Sequence, residues 1–295
     1  MAQLHHQHNR ETIMPSYEFQ LVNVFGETAF GGNPLAILPK ADGLNDDTMQ
    51  AIARQFNLSE TVFVMPPTHD ALADVRIFSP SYEMSFAGHP VIGVAWYLAQ
   101  QHSTPFYIRT PAKTVAIHQQ KQAMMLSTQG YTCAVSKADK TSLAMMTGLH
   151  ETAVAQQAYF VNAGVRQLLL EVADKTALDN TKVNLARLRE LYANDDVQDE
   201  IMLYLWCRAG DVLVSRLMFE QDNGLLEDSG TGSAAVNLGA YLHHTGVRAG
   251  TYAIHQGDGM SRPNRLYLQI DGDVISMGGV VQHVGQGAFF VDKIS

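Results

Sequence analysis

The sequence predicts an α+β fold of two pseudo-symmetric domains, each a mostly antiparallel, barrel-like sheet around a central helix. One observation is an internal repeat, in which residues 83–90 are echoed at 227–234, about 144 positions later. A second is the apolar, small-residue run after each copy, at 91–98 and 235–242, which predicts a buried helix opened by a glycine-containing turn. The third is that short alternating or β-branched segments surround both helices.

In the first half, alternating and β-branched segments predict strands at residues 17–25, 59–64, 74–78, 105–109, 113–118 and 124–127. Residues 35–38 predict either a short buried strand or the start of a helix. A helix is predicted at 48–56, because apolar residues such as Ile52 and Phe56 repeat at helical spacing after two aspartates. The first repeat helix follows at about 89–101.

In the second half, strands are predicted at residues 158–164, 167–172, 201–208, 212–220, 251–255, 266–270, 274–280 and 288–291. A helix is predicted at 183–191, and the polar, Ala- and Lys-rich segment 133–147 is interpreted as a connection between the halves. The predicted domains are 15–130 plus 284–295 at the N-terminal side and 131–283 at the C-terminal side.

Composition limits the classes of function. The chain has 295 residues, 46% hydrophobic and 17% charged, which fits a globular protein with a large core. A net charge of −9 without a long Lys/Arg run argues against nucleic-acid binding, and no apolar run approaches the ~20 residues of a membrane span. Only two cysteines and a polar start without the apolar core of a signal peptide predict a cytoplasmic protein.

The loops at residues 88–90 and 230–233 each precede a predicted repeat helix. The first-turn N–H groups of a helix have no intrahelical partner and lie at the positive end of its dipole, so each loop suits a carboxylate or phosphate. For one loop alone, a tight turn with a serine cap is the simpler interpretation. Two related copies favour a shared anion clamp, with both helix N-termini pointing into one cleft between the halves.

Three titratable residues are candidates for proton transfer. Glu60 is a carboxylate in an otherwise apolar strand, and burial would raise its pKa toward neutrality; a surface Glu at a strand start is the alternative. Asp228 is either an acid/base group or a helix-capping carboxylate. His89 is a substrate donor, a proton carrier or a structural histidine near a cap.

The sequence lacks residues that proteases, serine hydrolases, zinc enzymes and nucleotide-binding enzymes require. Asp228 has the Asp-Ser-Gly-Thr form of an aspartic protease, but the aligned position in the first half is Met84 rather than a second aspartate. Ser233 lacks the two flanking glycines of a hydrolase nucleophile elbow. No zinc spacing, dinucleotide fingerprint or Walker loop is present. Isomerisation or proton transfer without a metal or nucleotide fits these restrictions best.

Four motifs occur in order, at residues 30–36, 57–63, 86–90 and 227–234. Together they resemble the PhzF-like isomerases of phenazine biosynthesis, with similarity over about residues 17–293. The resemblance implies a diaminopimelate-epimerase-like fold with the active site in the cleft between the domains. It also implies catalysis without a cofactor on a small carboxylate-bearing substrate, and a homodimer.

Carried over motif by motif, the resemblance implies Glu60 as the acid/base, with His89 and Asp228 as further catalytic residues. The residues predicted to bind substrate are Ser59, Gly88, Thr231, Gly232 and Ser233.

Two departures from the family pattern affect the prediction. The segment 229–230 reads Ser-Gly where the family usually has Pro-Ala or Ala-Ala, which predicts a more mobile second loop. Related epimerases use two opposing cysteines, but Ala87 and Thr231 stand at the corresponding positions, which argues against two-base epimerisation. The sequence therefore predicts a cofactor-independent isomerase that shifts a proton on a small carboxylate. The alternative is a non-catalytic metabolite-binding protein that keeps the same cleft.

Overall fold

The computed structural model describes residues 15–291. In this range the chain forms eighteen strands and six α-helices. The strands are β1 (Ser16–Val24), β2 (Asn33–Leu38), β3 (Glu60–Met65), β4 (Ala73–Phe78), β5 (Glu83–Met84), β6 (Phe106–Arg109), β7 (Thr114–Gln120), β8 (Ala123–Gln129), β9 (Thr132–Val135), β10 (Tyr159–Asn162), β11 (Arg166–Glu171), β12 (Met202–Ala209), β13 (Val212–Gln221), β14 (Gly224–Asp228), β15 (Ala249–Gln256), β16 (Asn264–Asp271), β17 (Val274–Gly279) and β18 (Val281–Phe290). The helices are α1 (Asp46–Phe56), α2 (Gly88–Ala99), α3 (Lys140–Thr147), α4 (Lys175–Asn180), α5 (Leu185–Asn194) and α6 (Gly232–His244).

Local sequence signals explain where helix α1 begins and ends. The side chain of Asn45 accepts a hydrogen bond from the N–H of Thr48, which satisfies one free donor of the first turn. Asn57 ends the helix in the left-handed conformation, which asparagine tolerates better than most residues. Residues 35–38, for which the sequence allowed a strand or a helix start, lie in strand β2.

The strand pairing repeats with a period of nine strands. Among the described residues thirteen pairings are antiparallel and four are parallel. The parallel pairs β2/β3 and β4/β6 of the first half correspond to β11/β12 and β13/β15 of the second. The predicted α+β fold of two pseudo-symmetric, mostly antiparallel halves is therefore confirmed.

Three strand pairings join the first nine strands to the last nine. Strand β18 pairs with β1, β9 pairs with β10, and β17 pairs with β8, all antiparallel. All eighteen strands of the described range belong to one hydrogen-bonded sheet. The domain division at 15–130 plus 284–295 and 131–283 stays a prediction, and residues 292–295 lie outside the described part of the chain.

Helices α2 and α6 are apolar around most of their circumference, as a helix enclosed by sheet must be. Their buried residues include Val91, Ile92 and Val94 of α2 and Ala234 and Leu238 of α6, all in one apolar core. A second core lies beneath α3, α4 and α5, and a third beneath α1. Within residues 15–291, no helix combines the length and apolar character needed to cross a membrane.

The segment 133–147 was interpreted wrongly as a connection. It contains the end of strand β9 and the whole of helix α3. Helix α3 has an N-cap at Asp139 and buries Leu143 and Met146, which lie at helical spacing. The polar residues around them make this apolar stripe hard to recognise in the sequence. The six-residue helix α4 was also missed, since it is too short to show a clear period.

The repeated glutamates at the start of each motif have a structural role. Glu83 accepts hydrogen bonds from Nε and Nη2 of Arg76, at 2.7 and 2.6 Å. Glu227 accepts from the same two atoms of Arg216, at 3.0 and 2.7 Å. A two-pronged arginine–carboxylate pair fixes each side chain more firmly than a single contact. Each pair fastens the short strand that leads into a central helix.

Candidate active site

The N-termini of α2 and α6 meet between the halves. A Cβ built on Gly88 would lie 3.4 Å from Cα of Gly232 and 3.4 Å from the backbone nitrogen of Ser233. Among residues 15–291 no side chain caps either helix, whereas an Asn or Asp caps each of α1, α3, α4 and α5. The free first-turn N–H groups of both helices therefore lie side by side, which suits the binding of a carboxylate.

Glu60 and His89 form a largely buried pair beside these N-termini. Glu60 opens strand β3, and His89 is the second residue of α2. Oε2 of Glu60 lies 3.3 Å from Nδ1 of His89. Oε2 of Glu60 and Nε2 of His89 are buried, and neither has a hydrogen-bond partner within residues 15–291. The pair therefore has hydrogen-bonding capacity left for a ligand.

Burial sets the protonation of this pair. It raises the pKa of Glu60 to about 7, against a smaller lowering by the side chain of Ser59. Burial lowers the pKa of His89 to about 4, although the charge of Asp228 acts in the opposite direction. At neutral pH His89 is therefore neutral, while Glu60 is near its midpoint and can both accept and donate a proton.

Asp228 lies at the end of β14 in a network that crosses between the halves. Asn33 donates through Nδ2 to Oδ1 of Asp228 at 3.1 Å and to the carbonyl of Gly230 at 2.9 Å. Thr231 donates its hydroxyl to Oδ2 of Asp228 at 2.5 Å, and Gln256 donates to the Asp228 carbonyl at 2.9 Å. Burial and then the Glu60 charge raise the pKa of Asp228, while the Thr231 bond lowers it.

Two members of this network were not predicted as site residues. Asn33 follows the Gly31-Gly32 break in one of the four motifs, so its position carried a signal. Gln256 lies at the end of strand β15 and had no sequence signal, because its contacts to the Asp228 loop depend on the packing of the second half.

All eight predicted site residues lie in the region where the two helix N-termini meet. They are Ser59, Glu60, Gly88, His89, Asp228, Thr231, Gly232 and Ser233. The hydroxyl of Ser59 donates to Oδ1 of Asn33 at 3.2 Å, so Ser59, like Thr231, supports the Asp228 network. Their role in substrate binding stays a prediction.

Gly230 stands where the family pattern usually has alanine, and the structure gives a steric reason for the glycine. A Cβ at this position would overlap the side-chain amide of Asn264, which is fully buried. We expect Gly230→Ala to lower the free energy of unfolding by about 1–3 kcal/mol, the usual cost of overpacking a buried site. Urea denaturation measures this change.

Gly259→Ala is the matched control for Gly230→Ala. It lies in a neighbouring turn, where a built Cβ would meet nothing within 4 Å. Its free energy of unfolding should stay close to that of the parent protein. Equal stability of the two variants would show that the Asn264 side chain can move aside at little cost.

Within residues 15–291 no group of three or more His, Cys, Asp or Glu side chains is placed to hold a metal ion. The buried groups instead lie at the helix N-termini of two joined α+β halves. The fold is of the epimerase-like class, and groups suited to proton transfer lie where its two central helices meet.

The chain belongs to the phenazine biosynthesis-like (PhzC-PhzF) family, whose model matches residues 22–292. It is 42% identical over 284 residues to an uncharacterized isomerase of Pasteurella multocida, covering 95% of this chain and 96% of the relative. It is 28% identical over 287 residues to the trans-2,3-dihydro-3-hydroxyanthranilate isomerase of Pseudomonas aeruginosa, covering 94% and 98%. The family resemblance drawn from the four motifs is confirmed.

A solved structure shows the same fold. A phenazine biosynthesis protein of the PhzF family from Bacillus anthracis superposes with a TM-score of 0.81 at 20% sequence identity, covering 94% of this chain and 100% of the other. The epimerase-like fold implied by the family resemblance is therefore confirmed as well.

Proposed function

We propose that the protein is a cofactor-independent isomerase that shifts a proton on a small carboxylate-bearing metabolite. The observation that carries the proposal is the meeting of two uncapped helix N-termini beside the buried Glu60–His89 pair. The helix ends offer N–H groups to the carboxylate, and the pair offers a proton acceptor next to it. The carboxylate of Glu60 can therefore both remove the proton from one carbon of the substrate and deliver it to another.

In this proposal Glu60 removes a proton from carbon and returns it at another position. The raised pKa of Glu60, about 7, suits both steps, because the group is neither strongly acidic nor strongly basic at neutral pH. His89 is neutral, so it relays a proton only by taking one up at one ring nitrogen as it releases one from the other, and its Nε2 has no protein partner within residues 15–291. Asp228 lies in the same buried region and positions or relays protons with the Thr231 and Asn33 network.

The side chains of the two repeated motifs have diverged, and this supports a directional reaction. His89 of the first motif aligns with Ser233 of the second, and Met84 aligns with Asp228. Two similar carboxylate-binding ends with unlike catalytic groups suit the transfer of a proton from one carbon to another. A symmetric two-base epimerisation would need matched groups on both faces of the substrate.

One relative gives a first substrate to try. The Pseudomonas aeruginosa relative is named for trans-2,3-dihydro-3-hydroxyanthranilate, a small cyclic carboxylate. We propose this compound and related small carboxylates as the test panel for the chain. A homodimer and a cytoplasmic location also remain predictions.

Deuterium incorporation tests the isomerase directly. We expect the protein, incubated with the panel in deuterated water, to introduce deuterium at a carbon position of at least one compound and to move its double bond. Proton NMR follows both changes, because the exchanged signal disappears and the new isomer has its own shifts. A proton held on Glu60 exchanges with solvent before its return, which is why isotope enters the product.

A reaction without protein controls for spontaneous exchange. Saturable binding of a carboxylate with no isotope in any carbon position would favour the alternative, a non-catalytic metabolite-binding protein. That outcome would contradict the isomerase while leaving the carboxylate-binding cleft in place.

A further inference from the structure

A chain of buried side-chain amides leads to the hydroxyl of Ser233. Asn237 lies one turn after Ser233 in α6, so the two side chains lie on the same face of the helix. Gln167 of strand β11 sits between them, with Nε2 3.1 Å from Oγ of Ser233 and Oε1 2.8 Å from Nδ2 of Asn237. Gln167 and Asn237 are only 0% and 1% exposed, so these bonds stand in place of water.

Backbone groups fix the orientation of Asn237. Its Oδ1 accepts from the backbone N–H of Ala163 at 2.9 Å, and its Nδ2 donates to the carbonyl of Val165 at 2.8 Å. A backbone N–H only donates and a carbonyl only accepts, so the amide has one orientation in which both bonds exist. The second N–H of Nδ2 then donates to Gln167.

The orientation of Gln167 follows from that of Asn237. Because Oε1 of Gln167 accepts from Asn237, its Nε2 is the end that faces Ser233. Nε2 also lies 3.7 Å from Sδ of Met202, and a thioether sulfur can only accept. Nε2 therefore donates to the hydroxyl oxygen of Ser233, and the hydroxyl hydrogen must point elsewhere.

The hydroxyl of Ser233 borders a small, mostly apolar recess that also contains the ammonium of Lys113 and the hydroxyl of Thr128. Ser233, Lys113, Phe86 and Thr128 are among the residues that line this recess. The ammonium of Lys113 lies 4.4 Å from the centre of the Phe86 ring. Both hydrogen bonds that the ammonium of Lys113 makes within residues 15–291 go to neutral oxygens, of Thr128 and Ala163. A half-buried cation and a hydroxyl donor together favour an anionic oxygen.

We propose that Gln167 and Asn237 are positioning residues that hold the Ser233 hydroxyl as a hydrogen-bond donor toward the substrate carboxylate. This inference rests on the proposed function, because it assumes that Ser233 meets a carboxylate. The Ala163 N–H fixes the orientation of the Asn237 amide, which fixes that of the Gln167 amide, which in turn makes the Ser233 oxygen an acceptor and leaves its hydrogen free to donate. The site therefore selects a carboxylate over the corresponding carboxamide, whose NH₂ group needs an acceptor.

Binding is measured in the Glu60→Gln background, by calorimetric titration with trans-2,3-dihydro-3-hydroxyanthranilate and its carboxamide. Gln167→Glu keeps the shape, and the titration is run at about pH 9 so that the buried carboxyl is ionised. An ionised carboxylate has only acceptors to present to Ser233, so the hydroxyl hydrogen turns inward to it. We expect the carboxylate probe to bind about 10–100-fold more weakly, the effect of losing a hydrogen bond to a charged group. The affinity for the carboxamide should fall by a smaller factor, so the ratio of carboxylate affinity to carboxamide affinity decreases.

Two further variants separate positioning from other effects. In a Ser233→Ala protein, Gln167→Glu should change carboxylate binding much less, because the hydroxyl that it reorients is gone. Tyr204→Phe removes another buried side-chain bond of the second half, from Tyr204 to Ser215 at 2.8 Å, and should leave probe affinity unchanged.

Either of two results would overturn the inference. One is an equal effect of Gln167→Glu with and without the Ser233 hydroxyl, which would indicate only charge repulsion or distortion. The other is the absence of saturable carboxylate binding to the Glu60→Gln protein. Because binding is measured with Glu60 disabled, a failure of deuterium exchange counts against the isomerase proposal alone.

Discussion

Replacing Glu60 by glutamine is expected to lower kcat/KM by about 10²–10⁴-fold, the contribution of one positioned acid/base group. Glutamine keeps the shape of the side chain beside His89 but cannot take a proton from carbon. The rate is measured on the carboxylate that exchanges deuterium, by NMR or by absorbance. The parent protein should gain kcat/KM as pH rises through about 7, because the base must lose its proton first.

Glu220→Gln is the control for this loss of activity. Glu220 is a partly exposed carboxylate of strand β13 that pairs with Arg189 rather than with a site residue. Its variant should keep the activity of the parent protein and the same pH profile. Near-normal turnover by Glu60→Gln, with the rise near pH 7 still present, would remove Glu60 from the mechanism.

Glu60→Gln is also expected to stabilise the protein at alkaline pH. The folded state keeps the Glu60 proton up to about pH 7, whereas an unfolded chain loses it near the ordinary value of 4.5. Between these values the folded state holds more protons than the unfolded state, so stability falls as pH rises. Above 7 the whole penalty is present, about 3 kcal/mol, since one pKa unit corresponds to about 1.4 kcal/mol.

Glutamine has no proton to lose, so Glu60→Gln escapes this penalty. Its free energy of unfolding should exceed that of the parent by up to about 3 kcal/mol at about pH 8 and should match it at about pH 4. Urea denaturation at the two pH values measures both differences. Glu220→Gln should bring no such gain, because Arg189 lowers rather than raises the pKa of Glu220. A pH-independent difference for Glu60→Gln would mean that the carboxyl is not held at a raised pKa.

Stability and activity are therefore opposed at one residue. The burial that makes Glu60 a suitable proton carrier near neutrality also destabilises the folded state there. A variant that is both more stable and nearly inactive is the combined expectation. The gain in stability would also show that the variant does not lose its activity through misfolding.

The sequence by itself determined the parts of this protein that depend on local patterns. The repeat at a spacing of about 144 residues is reproduced by α2 and α6, which begin at Gly88 and Gly232. Runs of small apolar residues indicated buried helices, and alternation indicated strands. Glu60, His89 and Asp228 were identifiable because each is polar in an otherwise apolar or glycine-rich setting.

Segments whose pattern was weak were assigned less well. The sequence favours a connection at residues 133–147 because the mostly polar stretch 136–142 interrupts its apolar positions. Tertiary packing makes the segment helical, since α3 buries Leu143 and Met146 in the core that it shares with α5.

Only the tertiary structure decided how the site groups are held. Asn33 and Asp228 are hydrogen-bonded across 195 positions of sequence, and Asn237 and Gln167 across 70. Periodicity and capping signals extend over a turn or a strand, so they carry no information about such pairs. The pKa of Glu60 is likewise set by burial, which is the sum of contacts from many segments. The sequence determined which groups this protein has for its chemistry, and packing determined their partners and protonation.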